Sequence, residues 1–278
     1  DLHTAYRRQR QMCIRDRYNS EDVDKNGSHK FSDEYVSLWA NKWAFVQYKE
    51  FLNEFVNRFD NYLRFFQEIN ISLGPTGELR YPSYNGHDGG RHPNRGRLQC
   101  FSIPAQKHYL SWLKSSKTED NVSEKEFIKS SDLKYRLQNK DYLKDPDIQN
   151  LFEWYNGALM NHGNGMLKIA LNIIPESIPI GFKIPGIHWR IGDPKGPRIS
   201  EMTCGLINSE SLNGQVAYFN ALKKVNKLAG TGKLKWSVKY EDVHMNIENA
   251  LVKATTDWGI FLDIDGIDAL LHVSDLSY

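Results

Sequence analysis

The chain has 278 residues, of which 40% are hydrophobic and 25% are charged, and its formal net charge is +2. This length accommodates one large domain or two small ones, and the composition is that of a soluble globular protein. The low net charge does not indicate nucleic acid or a membrane surface as a partner, and no apolar run is long enough to span a membrane. Three scattered cysteines, Cys13, Cys100 and Cys204, predict neither a disulfide framework nor a zinc site.

Residues 1–17 are basic, without hydrophobic periodicity and without the apolar stretch of a signal peptide. We interpret them as a non-native leader, similar to the translation of a sequencing adaptor, or as a disordered basic arm. Residues 34–68 are predicted to form a helix, because apolar residues recur there at helical spacing. This stripe consists of Leu52, Phe55, Val56, Phe59, Leu63 and Phe66.

The hydrophobic period then changes to two. Residues 69–73 alternate between apolar and polar side chains and predict a strand, which the Gly and Pro residues of 74–77 end. A second long helix is predicted over residues 147–172, followed by a second strand over residues 182–187. A long helix that leads into a short strand, with polar residues at the carboxyl end of the strand, is typical of a (β/α) barrel.

The remaining segments give weaker signals. Residues 85–105 are predicted to be loop, and residues 115–145 a polar surface excursion with short helical pieces. Further on, residues 215–228 read as a helix and residues 233–252 as a charged amphipathic segment. Residues 256–278 alternate like strands with tight turns.

The string ISLGPTGELRYPSY, residues 71–84, places a carboxylate just past a strand end. Glu78 follows a glycine, and Arg80, Tyr81 and Tyr84 are its neighbours in sequence. Aromatic surroundings favour the protonated carboxyl group that a general acid needs, whereas a neighbouring Arg favours the carboxylate. The sequence does not decide between these influences, and a simple loop ion pair between Glu78 and Arg80 is the alternative.

This string resembles the active-site signature of the β-amylases, members of glycoside hydrolase family 14 that release maltose from the non-reducing ends of starch chains. Three further segments resemble the same family in the same order, at residues 34–51, 161–170 and 183–209. The resemblance covers about residues 30–210. It implies an α/β fold, an incomplete (β/α)8 TIM barrel of β-amylase type, in a domain that we place at residues 18–213.

The resemblance also implies a function, which is hydrolysis of α-1,4-glucan (starch and maltooligosaccharides) with inversion and release of β-maltose, without a cofactor or a metal. Glu78 matches the general acid of the family. The substrate-binding residues that it implies are Lys183, His188, Trp189, Arg80 and Tyr84. The expected partner is the glucan, bound by a monomer that contacts neither nucleic acid nor a membrane. Family members act outside bacterial cells or inside plants, and we expect an extracellular location.

Two further groups of polar residues concern a metal site and the general base. His87, Asp88 and His92 in the long loop fit no standard metal-site spacing. Inverting glycosidases need a second carboxylate as general base, about 6.5–9.5 Å from the acid. In the β-amylases this glutamate belongs to a later GENAL motif, and the string IENAL offers Glu248 for this role.

The C-terminal segments resemble other families. Residues 215–252 resemble argininosuccinate lyase, in which the matching Asp242 and His244 lie near the substrate, but the later lyase signature is absent, so no lyase activity follows. Residues 254–278 resemble about two strands of the RNA-binding barrel that is repeated in the largest protein of the bacterial small ribosomal subunit. A closed barrel of this kind needs about five strands.

Together these resemblances predict a composite chain. Its segments are the leader at 1–17, the partial barrel at 18–213, a helical lyase-like fragment at 214–253 and a β-rich barrel fragment at 254–278. The alternative function is therefore a catalytically inactive glucan-binding fragment that lacks the general base. An RNA-binding or lyase-related function, inferred from the C-terminal segments, is a third hypothesis.

Overall fold

A computed structural model describes residues 17–32, 35–40, 43–83, 96–116, 126–139, 141–183 and 202–205, together with the backbone of three strands between residues 251 and 272. The chain divides into two compact units, Asp1–Ser237 and Val238–Tyr278. The first unit contains helices and short strands, and the second contains the three C-terminal strands.

The described part of the first unit begins with a hairpin and continues with helices that connect two short strands. Its elements are β1 (Tyr18–Val23), β2 (His29–Ser32), α1 (Trp43–Arg58), a 3-10 helix (Asp60–Phe65), β3 (Ile69–Ile71), a one-turn 3-10 helix (Pro75–Gly77), α2 (Ile103–Ser116), α3 (Ser130–Leu137), a 3-10 helix (Tyr142–Lys144), α4 (Pro146–Ile173) and β4 (Ile180–Phe182). The second unit contains β5 (Leu251–Thr256), β6 (Gly259–Ile264) and β7 (Ile267–His272).

Strands β3 and β4 form a parallel pair, in which Ile69 lies opposite Ile180 and Ile71 lies opposite Phe182. A parallel pair needs a long crossover connection, and α2, α3 and α4 supply it. The first predicted barrel strand is confirmed at residues 69–71, and the second begins two residues earlier than predicted. The sheet therefore has the parallel βα character that the helix–strand pattern indicates.

Helix α4 matches the helix predicted over residues 147–172 within one residue at each end. Asp145 caps its N-terminus, because its carboxylate accepts a hydrogen bond from the Asp147 N–H at 3.0 Å, and Pro146 occupies the first helical position. One face of the helix is buried. Its apolar residues Leu151, Trp154, Tyr155, Leu159 and Leu167 are all buried, and Ile169 packs partly buried against them.

The helix predicted over residues 34–68 is shorter than the pattern indicates, because α1 covers only its middle part and residues 35–40 form turns. Tertiary contacts hold these turns out of the helix. The Leu38 N–H donates to the Tyr18 hydroxyl at 3.0 Å, and the Trp39 ring is buried in the core. The apolar stripe is confirmed in part. Leu52 is buried, and Phe55 and Val56 are partly buried on α1. Beyond the end of α1, Leu63 is buried, Phe66 is partly buried and Phe59 is exposed.

The sequence patterns do not predict the antiparallel hairpin of β1 and β2. Its turn is closed by Asp24, whose carboxylate accepts hydrogen bonds from the N–H groups of Asn26 at 2.8 Å and Ser28 at 2.9 Å. Gly27 has φ +79°, a value that favours glycine. An Asn-Gly pair between extended runs is a hairpin signal. The polar sequence YNSEDV of β1 obscures it.

The loop predicted over residues 85–105 ends early, because α2 begins at Ile103. Its first turn is supported by Ser102, whose hydroxyl accepts a hydrogen bond from the Ala105 N–H at 3.4 Å. The polar excursion predicted over residues 115–145 contains α3, which confirms the short helical pieces expected there.

Five aromatic rings pack together at the centre of the first unit. Tyr81 stacks on Tyr155 with ring centroids 3.8 Å apart, and Trp39 stacks on Tyr81 at 5.4 Å and on Trp154 at 5.2 Å. Tyr18 packs edge-on against Tyr81 at 5.8 Å. Such pairs contribute about 0.5–1.5 kcal/mol each beyond the burial of their surface. They join β1, the turns before α1, the segment after β3 and α4 into one core.

The second unit contains a three-stranded antiparallel sheet in the order β5-β6-β7. The resemblance to an RNA-binding barrel predicts about two strands for residues 254–278, whereas the sheet has three strands and begins at Leu251. The expectation that the chain contacts no nucleic acid stays a prediction. The lyase-like segment also stays a prediction, because residues 206–250 lie outside the described residues.

A buried charge cluster joins β1 to α3. The Arg97 Nε lies 3.0 Å from Asp22 Oδ2 and 3.6 Å from Glu21 Oε1, and the Lys134 Nζ lies 2.6 Å from Asp22 Oδ1. The Ser130 hydroxyl donates to the Glu21 carbonyl. Burial raises the pKa of Glu21 to about 7, although Arg97 opposes the shift. Burial acts in the same direction on Asp22, but Lys134 and Arg97 outweigh it and lower the pKa of that carboxyl.

The substitution Glu21→Gln is expected to weaken the pH dependence of stability. The folded chain keeps a proton on Glu21 up to about pH 7, whereas the unfolded chain releases it near pH 4.5. The contribution of this group to the free energy of unfolding therefore falls as the pH rises between these values. A Gln side chain cannot ionise, so the variant should gain relative to the parent chain as the pH rises. Thermal unfolding midpoints between about pH 5 and about pH 8 measure the effect.

Glu54→Gln is the matched control. Glu54 is an exposed residue of α1 that pairs with Arg58 and does not belong to the Glu21 cluster. The control should keep the pH dependence of the parent chain, because an exposed ion pair contributes little to stability. Parallel curves for the parent chain and Glu21→Gln would show that the Glu21 carboxyl does not titrate as described.

Candidate active site at the carboxyl ends of β3 and β4

A tight turn connects β3 to Glu78. Three backbone hydrogen bonds close it. The Gly77 N–H donates to the Gly74 carbonyl at 2.9 Å, the Glu78 N–H to the Pro75 carbonyl at 3.0 Å, and the Leu73 N–H to the Gly77 carbonyl at 3.2 Å. Thr76 and Gly77 have φ values of +56° and +84°. A glycine at 77 relieves the strain of this conformation, and the Thr76 hydroxyl donates to the Pro75 carbonyl at 2.6 Å.

Gly74 is required for a different reason, which is a close approach between backbone segments. A Cβ atom at this position would lie 2.7 Å from the Glu78 carbonyl oxygen and 2.8 Å from the Arg80 carbonyl oxygen. Backbone atoms cannot move aside as the end of a side chain can. The absence of a side chain at Gly74 therefore allows the segment carrying Glu78 to pass close by.

Glu78 lies beside Lys183 at the carboxyl end of the parallel pair. The two residues form an isolated parallel bridge beyond the strand ends, and the Leu79 N–H donates to the Lys183 carbonyl at 2.9 Å. The side chain of Glu78 is 29% exposed, so solvent and ligands can reach it. Catalytic residues of (β/α) barrels lie at this edge of the sheet.

Arg80 contacts the Glu78 carboxylate directly. Its Nε donates to Glu78 Oε2 at 2.8 Å, and the Arg80 side chain is 15% exposed. The ion pair considered from the sequence is therefore present. It holds one carboxylate oxygen in a defined position and leaves the Glu78 side chain accessible.

The structure brings together three of the six predicted site residues, Glu78, Arg80 and Lys183. The other three, Tyr84, His188 and Trp189, lie outside the described residues, as does the candidate base Glu248. Their roles stay predictions.

Tyr81 belongs to the core, although the sequence places it among the neighbours of Glu78. Its ring is buried, and its hydroxyl donates to the Tyr155 carbonyl at 2.9 Å. Burial raises the pKa of Tyr81 well above its ordinary value. The Tyr81 N–H donates to the Cys204 carbonyl at 2.9 Å, and a Cβ on Gly205 would lie 2.3 Å from the Tyr81 ring. Tyr81 thus anchors the chain just after Glu78.

Two consecutive residues of α4 contact the turn that precedes Glu78 and the residue that follows it. The His162 Nε2 donates to the Leu73 carbonyl at 3.0 Å. A Cβ on Gly163 would lie 2.9 Å from a terminal methyl group of Leu79, so the absence of one admits the Leu79 side chain. The resemblance over residues 161–170 marks this segment, but no pattern in the sequence predicts the contacts.

Within the ranges given above, no helix is long and apolar enough to cross a membrane. In the same part of the chain, no group of three or more His, Cys, Asp and Glu residues is arranged to hold a metal ion. His87, Asp88 and His92 lie outside it.

A partly exposed glutamate paired with an arginine, next to a lysine at the carboxyl ends of parallel strands, is an arrangement suited to a (β/α)-barrel hydrolase. The profile of glycosyl hydrolase family 14 matches residues 14–234. The chain belongs to this family. The matched region extends past residue 213, where we ended the β-amylase-like segment.

Individual relatives are similar at modest identity. The chain is 29% identical over 201 residues to the thermophilic β-amylase of Thermoanaerobacterium thermosulfurigenes. The aligned region covers 69% of this chain and 36% of that protein. It is 33% identical over 178 residues to the β-amylase of Bacillus cereus, and the aligned region covers 57% of this chain and 31% of that protein. The chain thus spans about a third of the length of these relatives.

The fold is similar to that of the catalytic domain of β-amylase from Paenibacillus polymyxa. The TM-score is 0.57 at 22% sequence identity, over 80% of this chain and 51% of that one. At this identity the similarity concerns the fold. It confirms the predicted class, an incomplete (β/α)8 TIM barrel of β-amylase type.

The substitution Gly74→Ala is expected to destabilise the chain by about 1–3 kcal/mol, because the new methyl group meets two backbone carbonyl oxygens. Gly157→Ala is the matched control, since Gly157 lies in α4 with no atom within 4 Å of an added Cβ. Alanine in a helix interior is favoured over glycine, so the control should gain about 0.5–1 kcal/mol. Chemical unfolding of both variants measures the difference. Equal effects would contradict the close approach at Gly74.

Proposed function

We propose that this chain carries the acid-bearing part of a β-amylase active site and hydrolyses α-1,4-glucan from the non-reducing end, with inversion and release of β-maltose. The observation that carries the proposal is the bridge between Glu78 and Lys183 at the carboxyl ends of β3 and β4. Membership of glycosyl hydrolase family 14 supports a glycosidic substrate. The names of the relatives support starch-type glucans.

In this proposal Glu78 is the general acid that protonates the leaving glycosidic oxygen. Its partly exposed side chain, which a substrate can reach, and its place at the strand end support this role. Lys183 and Arg80 supply charged donors for the hydroxyl groups of the bound sugar, since both lie next to Glu78. We assign substrate contacts also to Tyr84, His188 and Trp189, on the resemblance alone. A Trp ring offers a flat apolar face to a sugar.

Inversion requires a second carboxylate that activates water on the opposite face of the sugar ring. Glu248 is the candidate in the sequence, in a segment that also resembles a lyase. If Glu248 does not act as the base, the second candidate function applies, which is glucan binding without hydrolysis.

The substitution Glu78→Gln is expected to abolish release of β-maltose from maltopentaose. Loss of a positioned general acid lowers the rate by about 10²–10⁴-fold, and Gln keeps the size of the side chain. Anomeric proton NMR of the purified 278-residue chain with maltopentaose follows both the rate and the stereochemistry.

Glu68→Gln is the matched control, because Glu68 is an exposed carboxylate next to the opposite end of β3. It should leave the rate unchanged. Binding of maltopentaose without any release of maltose would support the non-catalytic alternative. A soluble chain that neither binds nor cleaves maltopentaose would contradict both proposals.

A further inference from the structure

We propose that His162 is a positioning residue for Glu78, and that it acts by holding the carbonyl of Leu73 at the start of the turn. The inference rests on the proposed function, because Glu78 is assigned there as the general acid. His162 lies on α4, far from Glu78 in the sequence, and contacts the turn through one hydrogen bond of 3.0 Å.

Leu73 is the residue through which this hydrogen bond reaches the acid. Its N–H donates to the Gly77 carbonyl at 3.2 Å, and its own carbonyl accepts from His162. Leu73 is buried, so its carbonyl needs a donor from the protein. A displacement of Leu73 would therefore move Gly77, the residue directly before Glu78.

The neighbouring contact on α4 restrains the chain on the other side of Glu78. The Leu79 side chain packs where a Cβ on Gly163 would lie, and the Leu79 N–H is fixed by the Lys183 carbonyl. Consecutive residues of one long, largely buried helix thus touch the chain before and after Glu78. Such a rigid element can hold a catalytic group within the narrow geometric limits that catalysis requires.

The chemistry of the imidazole fits this role. A hydrogen bond to a carbonyl requires a proton on Nε2 of His162, and this proton is present in one neutral tautomer and in the imidazolium form. Burial lowers the pKa of His162, although the hydrogen bond to Leu73 opposes the shift. The ring of Phe45 lies 5.8 Å away and packs over Gly165, which limits the rotation of the imidazole.

Two substitutions that introduce side chains of similar length distinguish the effect of the hydrogen bond from the effect of packing. His162→Met fills the space without a donor, whereas His162→Gln offers an amide N–H at the position of Nε2. With maltopentaose, His162→Met should lower kcat by about ten- to a hundredfold with little change in KM, because it misplaces the acid rather than the substrate-binding groups. His162→Gln should retain most of the parent kcat.

Amide hydrogen exchange tests the same inference without relying on activity. In His162→Met, the Gly77 and Glu78 amides should exchange about five- to tenfold faster than in the parent chain, because the turn has lost one hydrogen bond. The Phe101 amide, which bonds the Asn19 carbonyl at 2.9 Å, serves as the internal reference for global opening.

The two readouts distinguish failure of this inference from failure of the proposed function. If the parent chain releases no β-maltose, the proposed function fails, and the exchange rates alone decide the role of His162. The inference is supported if the Gly77 and Glu78 amides exchange faster in the Met variant than in the parent chain and return to the parent rate in the Gln variant. It is overturned if these amides exchange at the same rate in the Met and Gln variants, or if the Phe101 amide changes in parallel with them.

Discussion

The parallel pairing of β3 with β4 constrains where this chain can place a carboxylate. In the ladder Ile71 lies opposite Phe182, and the next pairing joins Glu78 to Lys183. Lys183 directly follows β4, whereas residues 72–77 separate β3 from Glu78. Those six residues have no partners in the ladder and must satisfy their backbone groups in another way. The turn before Glu78 follows from this mismatch in length.

The mismatch explains why the segment needs support from outside the sheet. The turn closes three backbone hydrogen bonds of its own, but the carbonyl of Leu73 is not among their acceptors and meets His162 on α4. Farther along the chain, Tyr81 inserts its ring into the aromatic core and bonds the Tyr155 carbonyl. The segment that carries Glu78 is thus anchored to α4 at both ends, while the carboxylate itself stays accessible.

Much of the fold could be predicted from the sequence, and the reasons for the failures are physical. Helix α4 and strand β3 have strong hydrophobic periodicity, so their positions were predictable. The hairpin was not, because β1 buries polar residues such as Glu21, which break the alternation on which strand prediction depends. The turns at residues 35–40 were predicted as helix, because the contact between Trp39 and Tyr81 is made between residues distant in sequence.

The candidate site, like the fold, has features that could be predicted from the sequence and others that depend on contacts between distant residues. Glu78 and Lys183 are candidates because both lie in segments that resemble one family, and a backbone bridge joins them in the structure. The hydrogen bond from His162 could not be predicted, because the apolar pattern of a helix does not indicate which distant carbonyl a histidine on that helix will contact. Its partner, Leu73, reads as an ordinary apolar strand residue.

The glycines around Glu78 show why residues 71–84 and residues 161–170, which are far apart in the sequence, act as one structural unit. Gly77 is needed for its positive φ, and Gly74 for the approach of two backbone carbonyls. Gly163, on α4, is needed because the side chain of Leu79 fills the space where its Cβ would be. The first two requirements arise within the turn, but the third arises only because the turn packs on α4. A change in either segment therefore alters the position of the Glu78 carboxylate.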